Sequence, residues 1–392
     1  MPDYIKQVTV TGDVSAIVDD EHLLEEWCAE VAKEVWEQKP EFAVIHVQGL
    51  RAAENPDRLA EKIVKSILRD PVEISMQFST SRAFMDTRET GLGSIYLFRS
   101  NEDIELFDRY SNTGYKSLRP GHQYEIGARE CDGFIASTFG SGHSHYCKKN
   151  IEKLLYYKKN TEMLFERNGG SRNERQSDIP QQTGYLMSRY RIYGRDFTFV
   201  NLSLHAVPFE DINELVEQPE QTKAARLRQS QINLLLKEIE SEGLKDDSIL
   251  VAGAFNAQLF ETQLLSSVVT VEHHRFDLHS IHDWFFRLGR GQMVKKYNGE
   301  LAQVAFGGKL LEESVFFQPS RHYGVSKISG KEEFMKNLCP AWADRVLYNE
   351  KLSDLFRHDS FCASGLYYGL VGEKTFIGQH KPVALHATIC LK

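Results

Sequence analysis

No stretch of this chain approaches the roughly 18 consecutive apolar residues that a membrane-spanning helix needs. Its first residues, Met1-Pro-Asp-Tyr-Ile-Lys6, lack the basic-then-apolar build of a secretory signal, so a cytoplasmic protein is expected. The six cysteines (Cys28, Cys131, Cys147, Cys339, Cys362 and Cys390) never fall at CxxC spacing, which favours reduced thiols over a disulfide frame. An excess of positive charge is missing as well. The formal net charge of -8 over 392 residues repels a polyanion and sets nucleic acid aside as a partner, while leaving room for a local basic pocket. There is no internal repeat, and no segment rich enough in linker signals to divide the chain.

What remains is a globular composition, 41% hydrophobic with a mean hydropathy of -0.41, long enough to bury a substantial core. Residues 8–15 read as a first strand. Residues 21–37 space Leu24, Trp27, Val31 and Val35 as one face of a helix that stops at Lys39-Pro40. A buried strand is expected at 42–50, a helix at 57–68, and strands at 74–78 and 93–99. Residues 183–200 read as a hairpin turning at Tyr193-Gly-Arg-Asp196, with 201–205 continuing its second strand. The clearest helix is 221–241, with Ile232, Leu235, Leu236 and Ile239 on one side, and it feeds a strand at 248–255. A helical insert (282–301) and strands at 314–317, near 346 and 366, and at 383–391 complete the pattern. The expected fold class is α+β, two packed mixed β-sheets flanked by helices. One domain spanning 1–392 is expected, with a loop-rich insertion around 119–182.

Three short segments carry the chemistry: Val251-Ala-Gly-Ala-Phe-Asn256, Cys339-Pro-Ala-Trp-Ala-Asp-Arg-Val-Leu347 and Gly378-Gln-His-Lys-Pro-Val383. In this order they resemble the G-D-F-N, P-A-W-C-D-R and G-D-H-K-P-V signatures of the inositol polyphosphate 5-phosphatases, and the chain looks closest to type I. The resemblance covers nearly the whole chain and implies the deoxyribonuclease-like four-layer sandwich. It also implies magnesium-dependent hydrolysis of a phosphate monoester, with an inositol phosphate or phosphoinositide headgroup as ligand.

The family's acidic positions are where this sequence departs. Gly49 follows Gln48 where the principal magnesium ligand, a Glu, should stand. Ser203 replaces the His that contacts the scissile phosphate, Ala254 replaces the Asp that orients the attacking water, and Gln379 replaces the Asp before His380. Retained family positions are Asn256, Asp344 and His380, the last two resembling a carboxylate and imidazole pair that is expected to be in contact. Asp13 stands where the family has Asn and offers a carboxylate to a metal. Phe317-Gln-Pro-Ser-Arg-His-Tyr323 resembles the substrate loop, so Arg321 and Tyr323, with Arg345 and Lys381, are the candidate substrate-binding residues. Arg345 reads equally as a structural anchor, and Lys381 as a surface residue. His205 stands two residues beyond Ser203, too far to replace the lost His directly. Arg228 matches a family arginine expected to tie its helix to the sheet. Glu54 is a poorly spaced substitute for the lost Glu.

Because metal activation, phosphoryl stabilisation and base catalysis act as a unit, losing several members points to a pseudophosphatase that binds phosphoinositol ligands. No cofactor is then expected; in the alternative reading a rearranged site holds Mg2+ and hydrolyses, and in a second alternative the chain is a protein-interaction scaffold. The ending Ile389-Cys-Leu-Lys392 is not a C-a-a-X box, so no lipid anchor is expected, and any membrane contact is peripheral. The histidine clusters, His143 to Cys147 and His273 to His282, read as solvated turns.

Overall fold

The computed structural model describes residues 2–68, 71–108, 114–127, 134–139, 144–146, 183–206, 222–258, 269–270, 275–276, 309–335, 341–356 and 365–391. Seven strands form one sheet: β1 (Tyr4–Asp13), β2 (Phe42–Gln48), β3 (Thr80–Asp86), β4 (Leu92–Phe98), β7 (Gly121–Ile126), β19 (Tyr367–Leu370) and β20 (Val383–Cys390), in the order β19-β20-β1-β2-β4-β3-β7. Nine form the other: β5 (Ile104–Phe107), β6 (Tyr115–Ser117), β8 (Phe134–Thr138), β9 (Ser144–Tyr146), β10 (Gly184–Ile192), β11 (Arg195–Ser203), β12 (Ser248–Ala254), β15 (Leu311–Glu312) and β18 (Asp344–Tyr348). Two short ladders stand apart, β13 (Val269–Thr270) with β14 (Arg275–Phe276), and β16 (Tyr323–Val325) with β17 (Glu332–Phe334).

Alternation along the strands sorts the side chains into layers. Phe42, Val44, Phe98 and Leu385 of the first sheet meet Phe197, Phe199, Leu250 and Val346 of the second in the central core. The first sheet's other face packs Val8, Val10, Ile45 and Ile95 against Trp27 and Val31 of α1 (Glu21–Gln38) and Ile63 and Ile67 of α2 (Pro56–Leu68). Behind the second sheet, Val200 and Val251 pack on Ile232, Leu235 and Ile239 of α4 (Lys223–Ser241). Helices, sheet, sheet and helix make the α+β sandwich that the sequence pattern called for.

Local chemistry sets the helix ends. The Asp20 carboxylate accepts from the Leu23 amide to start α1, which stops where Lys39 turns left-handed ahead of Pro40. Thr222 caps α4 in the same way, accepting from the Ala225 amide. Residues 74–78, expected as a strand, instead lie mainly in the one-turn helix α3 (Val72–Gln77). Ile74 and Phe78 are buried four residues apart, and Met76, which strand alternation would bury with them, is 81% exposed. The strand follows directly as β3. Residues 314–317 carry no strand; the pairing with β18 is made earlier by β15. The stretch expected to be loop-rich holds β7, β8 and β9. The helical insert at 282–301 lies outside the described residues. Cys28 is free and buried, but Cys390 is disulfide-bonded, which departs from the expectation of reduced thiols throughout.

Two parallel pairs build the site end of the sandwich. β1 runs parallel to β2 so that Asp13 ends opposite Gln48, and β11 runs parallel to β12 so that Ser203 ends opposite Ala254. Both pairs finish at the same edge, because the Gln48 amide donates to Asn201 Oδ1 at 2.7 Å across the sheets. Asn201 Nδ2 in turn donates to the Gly93 carbonyl at 2.7 Å.

His46, one pleat deeper than Gln48, is fully buried, and its Nδ1 donates to the Ala252 carbonyl at 3.4 Å. Burial lowers its pKa from 6.5 to about 3. The unfolded chain therefore takes up this proton first, and stability is lost as pH falls from about 6.5 towards about 3. Urea unfolding should show a loss from this group of about 2 kcal/mol between pH 6.5 and pH 5, absent in His46→Gln; identical acid limbs in the two chains would contradict it.

Candidate functional site

The strand ends bring Asp13, Ser203 and Ala254 together with the first residue of β18, Asp344, which pairs with Ala254. Asp344 is fully buried, and its Oδ2 accepts from the Ser320 hydroxyl at 2.8 Å. The same Ser320 oxygen accepts from the amides of Ala343 at 3.0 Å and Asp344 at 3.1 Å, so the turn into β18 is fixed by one side chain. The expected contact with His380 is present: its Nδ1 stands 3.4 Å from Asp344 Oδ2, a charge contact rather than an aligned hydrogen bond. Burial works against a charged His380 ring, but Asp344, and after it Asp13, outweigh burial and the opposing Arg321, and the pKa is raised above 6.5. The imidazolium is thereby favoured at the heart of the site.

Asn256 turns left-handed (φ 52°) just beyond β12, a conformation that Asn tolerates better than most residues. Its amide nitrogen Nδ2 donates to the Leu204 carbonyl at 2.8 Å, which leaves Oδ1 to accept from Arg321 Nη1 at 3.0 Å. Arg321 is 2% exposed and bridges through its backbone to both Ala341 and His380. The next residue, His322, sets its ring edge-on to His380 with centroids 5.8 Å apart. Burial first, then Arg321 and His380, push the His322 pKa down to about 2, so this ring is neutral, and its buried Nδ1 has no hydrogen-bond partner. Sequence reasoning left His322 out of the site, although it sits within the substrate-loop motif between two residues that were chosen.

At the replaced positions the structure is unlike an acid-lined pocket. Gly49 adopts φ +85°, and a Cβ there would stand 2.6 Å from Asp13 Oδ1 and 2.7 Å from the Ser15 amide nitrogen. Asp13 Oδ1 accepts from that same Ser15 amide at 2.7 Å, so the Asp13 carboxylate closes the turn where a Glu side chain would leave the backbone. Ala254 is fully buried with no polar side-chain atom, and Gln379 offers its carbonyl to the Tyr323 amide at 2.9 Å. His205 is held at a distance from the strand end: its amide donates to Gln231, and its carbonyl accepts from Arg228 at 2.9 Å. Arg228 thus ties α4 to the exit of β11, the structural part expected of it. Glu54 is exposed beyond the short 3-10 turn at Leu50–Ala52.

Magnesium asks for near-octahedral oxygen ligands, usually including carboxylates. Here Gln48 is committed to Thr11 and Asn201 and Asn256 Oδ1 to Arg321, Asp344 Oδ2 is engaged by Ser320 and His380 while its buried Oδ1 has no hydrogen-bond partner, and among the described residues no three His, Cys, Asp or Glu side chains converge as a metal site. This donor set does not fit the ion.

Three expected ligand contacts are corrected. Arg345 is fully buried and paired in bidentate fashion with Glu312, inside the second sheet. Lys381, 1% exposed, donates to the carbonyls of Gly372, Glu373 and Thr375 and pairs with Glu332 at 2.9 Å, so it is neither a surface residue nor a ligand cation. Tyr323 is likewise withdrawn, its hydroxyl donating to the Pro319 carbonyl at 2.6 Å beneath the Lys381 ammonium. Both cations were expected at the ligand because they flank motif residues; strand alternation turns Arg345 the other way, and Glu332 with three backbone carbonyls holds Lys381. Neither histidine cluster is described here: His145 lies on β9 without a described side chain, and His273, His274, His279 and His282 fall outside the described residues.

No protein-family model matches the chain. Among curated proteins it is similar to human inositol polyphosphate-5-phosphatase A, 22% identical over 419 residues, covering 96% of this chain and 91% of the relative. The rat protein of the same name matches equally, at 22% and the same coverage. Among solved structures the chain is similar to the inositol polyphosphate 5-phosphatase domain of SPsynaptojanin in complex with inositol (1,4)-bisphosphate and calcium ion, at TM-score 0.50 and 13% identity, covering 98% of this chain and 85% of that one. The ferrous NO complex of Cimex nitrophorin has the same TM-score, 0.50, at 13% identity over the full length of both chains.

The Gly49 geometry yields a direct test. Gly49→Ala places a Cβ against backbone in a left-handed conformation and should cost about 1–3 kcal/mol in urea unfolding. A midpoint unchanged from the native chain would show that the β2 exit is freer than the structure has it.

Proposed function

Starting from a chain related to the inositol polyphosphate 5-phosphatases in sequence and fold, we propose that it binds the phosphate groups of an inositol phosphate or phosphoinositide headgroup without hydrolysing them. The observation that carries this reading is the buried Arg321, bonded to Asn256 and set beside a His380 whose charged form is favoured. Two cationic groups and two polar ones, Asn256 and His322, converge there against the carboxylates of Asp13 and Asp344. An acid-lined site needs a cation before it accepts a phosphate; this one supplies positive charge from its own side chains.

Hydrolysis has little left to work with. Phosphate monoesters need accelerations of up to about 10²¹, and metal activation, electrostatic stabilisation and proton transfer supply them jointly. With Gly49, Ser203, Ala254 and Gln379 at four working positions, the parts that remain orient and neutralise a phosphate but do not activate water. The reading with a rebuilt magnesium site loses ground because Asp13 is engaged at its own turn and Glu54 is exposed.

Calorimetry with inositol 1,4,5-trisphosphate should show binding at micromolar to millimolar concentration, equal with and without a chelator, and lost in Arg321→Met. No heat at millimolar ligand would end the proposal. Binding should weaken as pH rises through the raised His380 pKa, because the imidazolium discharges. His380→Gln should remove that component, and taking the difference between the two chains cancels the ligand's own titration. Phosphate release with magnesium should stay at background in the native chain; turnover like that of an ordinary family member would overturn the non-hydrolytic part alone.

A further inference from the structure

The hairpin β16–β17 ends in the most exposed large apolar residue among those described, Ile328, which is 100% exposed. Its neighbour on the rising strand, Val325, is 49% exposed. This apex is built rather than frayed. The Ser326 amide donates to the Lys331 carbonyl at 2.8 Å, and the Gly330 amide donates back to the Ser326 carbonyl at 2.9 Å. Gly330 takes φ +65° with nothing within 4 Å of a Cβ, so the chain reverses in open solvent and holds Ile328 outward. Lys327 and Lys331, both exposed, flank the tip. Of the two acids that follow, Glu332 is neutralised by Lys381 and Glu333 remains exposed, so the apex itself is cationic and apolar.

The base of the hairpin is bolted to the site. The Tyr323 amide donates to the Gln379 carbonyl at 2.9 Å, Glu332 pairs with Lys381 at 2.9 Å, and the Met335 amide donates to the His322 carbonyl at 2.9 Å. The segments that carry His322 and His380 therefore also aim the tip. An apolar residue between lysines suits an interface in which hydrocarbon lies beneath a layer of negative headgroups. A second copy of the chain fits less well, since a twofold contact through this apex would bring four lysines together.

We infer that the hairpin is a membrane-docking element: Ile328 enters the interface of an anionic lipid surface while Lys327 and Lys331 meet its headgroups. This deepens the preceding proposal by choosing a lipid-borne headgroup over a free inositol phosphate, and it rests on that reading for the orientation of docking. Each lysine contributes about fivefold to partition, and burial of Ile328 about tenfold or more. Binding by the tip alone is weak; joined to a headgroup held at Arg321 and His380, the two contacts reinforce each other through effective concentration.

The test is co-sedimentation of the full chain with phosphatidylcholine vesicles containing phosphatidylserine, with and without phosphatidylinositol 4,5-bisphosphate. On phosphatidylserine alone, Ile328→Asp should reduce partition at least tenfold and Ile328→Trp should preserve or raise it. The heat of inositol 1,4,5-trisphosphate binding should be the same in all three chains. Partition that ignores position 328, or no partition even at high lipid, overturns the inference. So does a dimer seen by sedimentation velocity that Ile328→Asp dissolves. Should the trisphosphate give no heat and phosphatidylinositol 4,5-bisphosphate add nothing, while partition on phosphatidylserine still depends on position 328, the headgroup reading fails and the docking element stands.

Discussion

A single amide-to-amide hydrogen bond, Gln48 to Asn201 at 2.7 Å, joins the two sheets at the end where the chemistry lies. Both residues are fully buried, so each polar atom must find a partner inside the protein. Thr11, Val47 and Gly93 supply the others, which locks β1, β2, β4 and β11 in mutual register. Hydrophobic packing between the sheets tolerates sliding, because it has no direction; a saturated amide network does not. From that fixed point the exits of β1, β2, β11 and β12 are carried to one edge, and every group of the candidate site is placed relative to them.

The site at that edge differs from the one the family resemblance leads one to expect. Gly49 and Asp13 fit each other: the backbone of one is left-handed, and the carboxylate of the other occupies the space beside it. On the opposite wall Arg321 reaches Asn256, and His322 stands against His380. In the proposed reading, cations and neutral donors hold an anion at an edge where the family resemblance leads one to expect acids. The fold does not itself decide between such chemistries, since a nitrophorin with bound NO shares it at the same structural likeness as a 5-phosphatase domain.

Much of the architecture was legible in the sequence, because periodicity reports which face of an element is buried. The faces of α1 and α4, the β10–β11 hairpin and the helix-to-strand step that delivers Asn256 all follow from apolar spacing and caps. Short runs were less informative. Residues 74–78 hold Ile74 and Phe78 four apart, a spacing that one helical turn and a strand both satisfy, and only packing against α1 and α2 decides between them. Motif positions showed which acids are gone, since a side chain that is absent cannot be restored by folding.

The direction in which a charge points is another matter. Arg345 and Lys381 sit beside motif residues in the chain, yet Glu312 and Glu332, brought from distant segments, draw both into buried pairs. Ser320, which fixes Asp344, and His322, which completes the site, acquire their roles only from the turn that bridges Arg321 to Ala341 and His380. The sequence by itself determined the family likeness, the layered fold and the absence of acids at positions where the resemblance leads one to expect them, all properties of residue type and local spacing. Only the tertiary structure decided which cations stand in the candidate site and where the hairpin tip points, because those depend on partners that are far apart in the chain and meet only on folding.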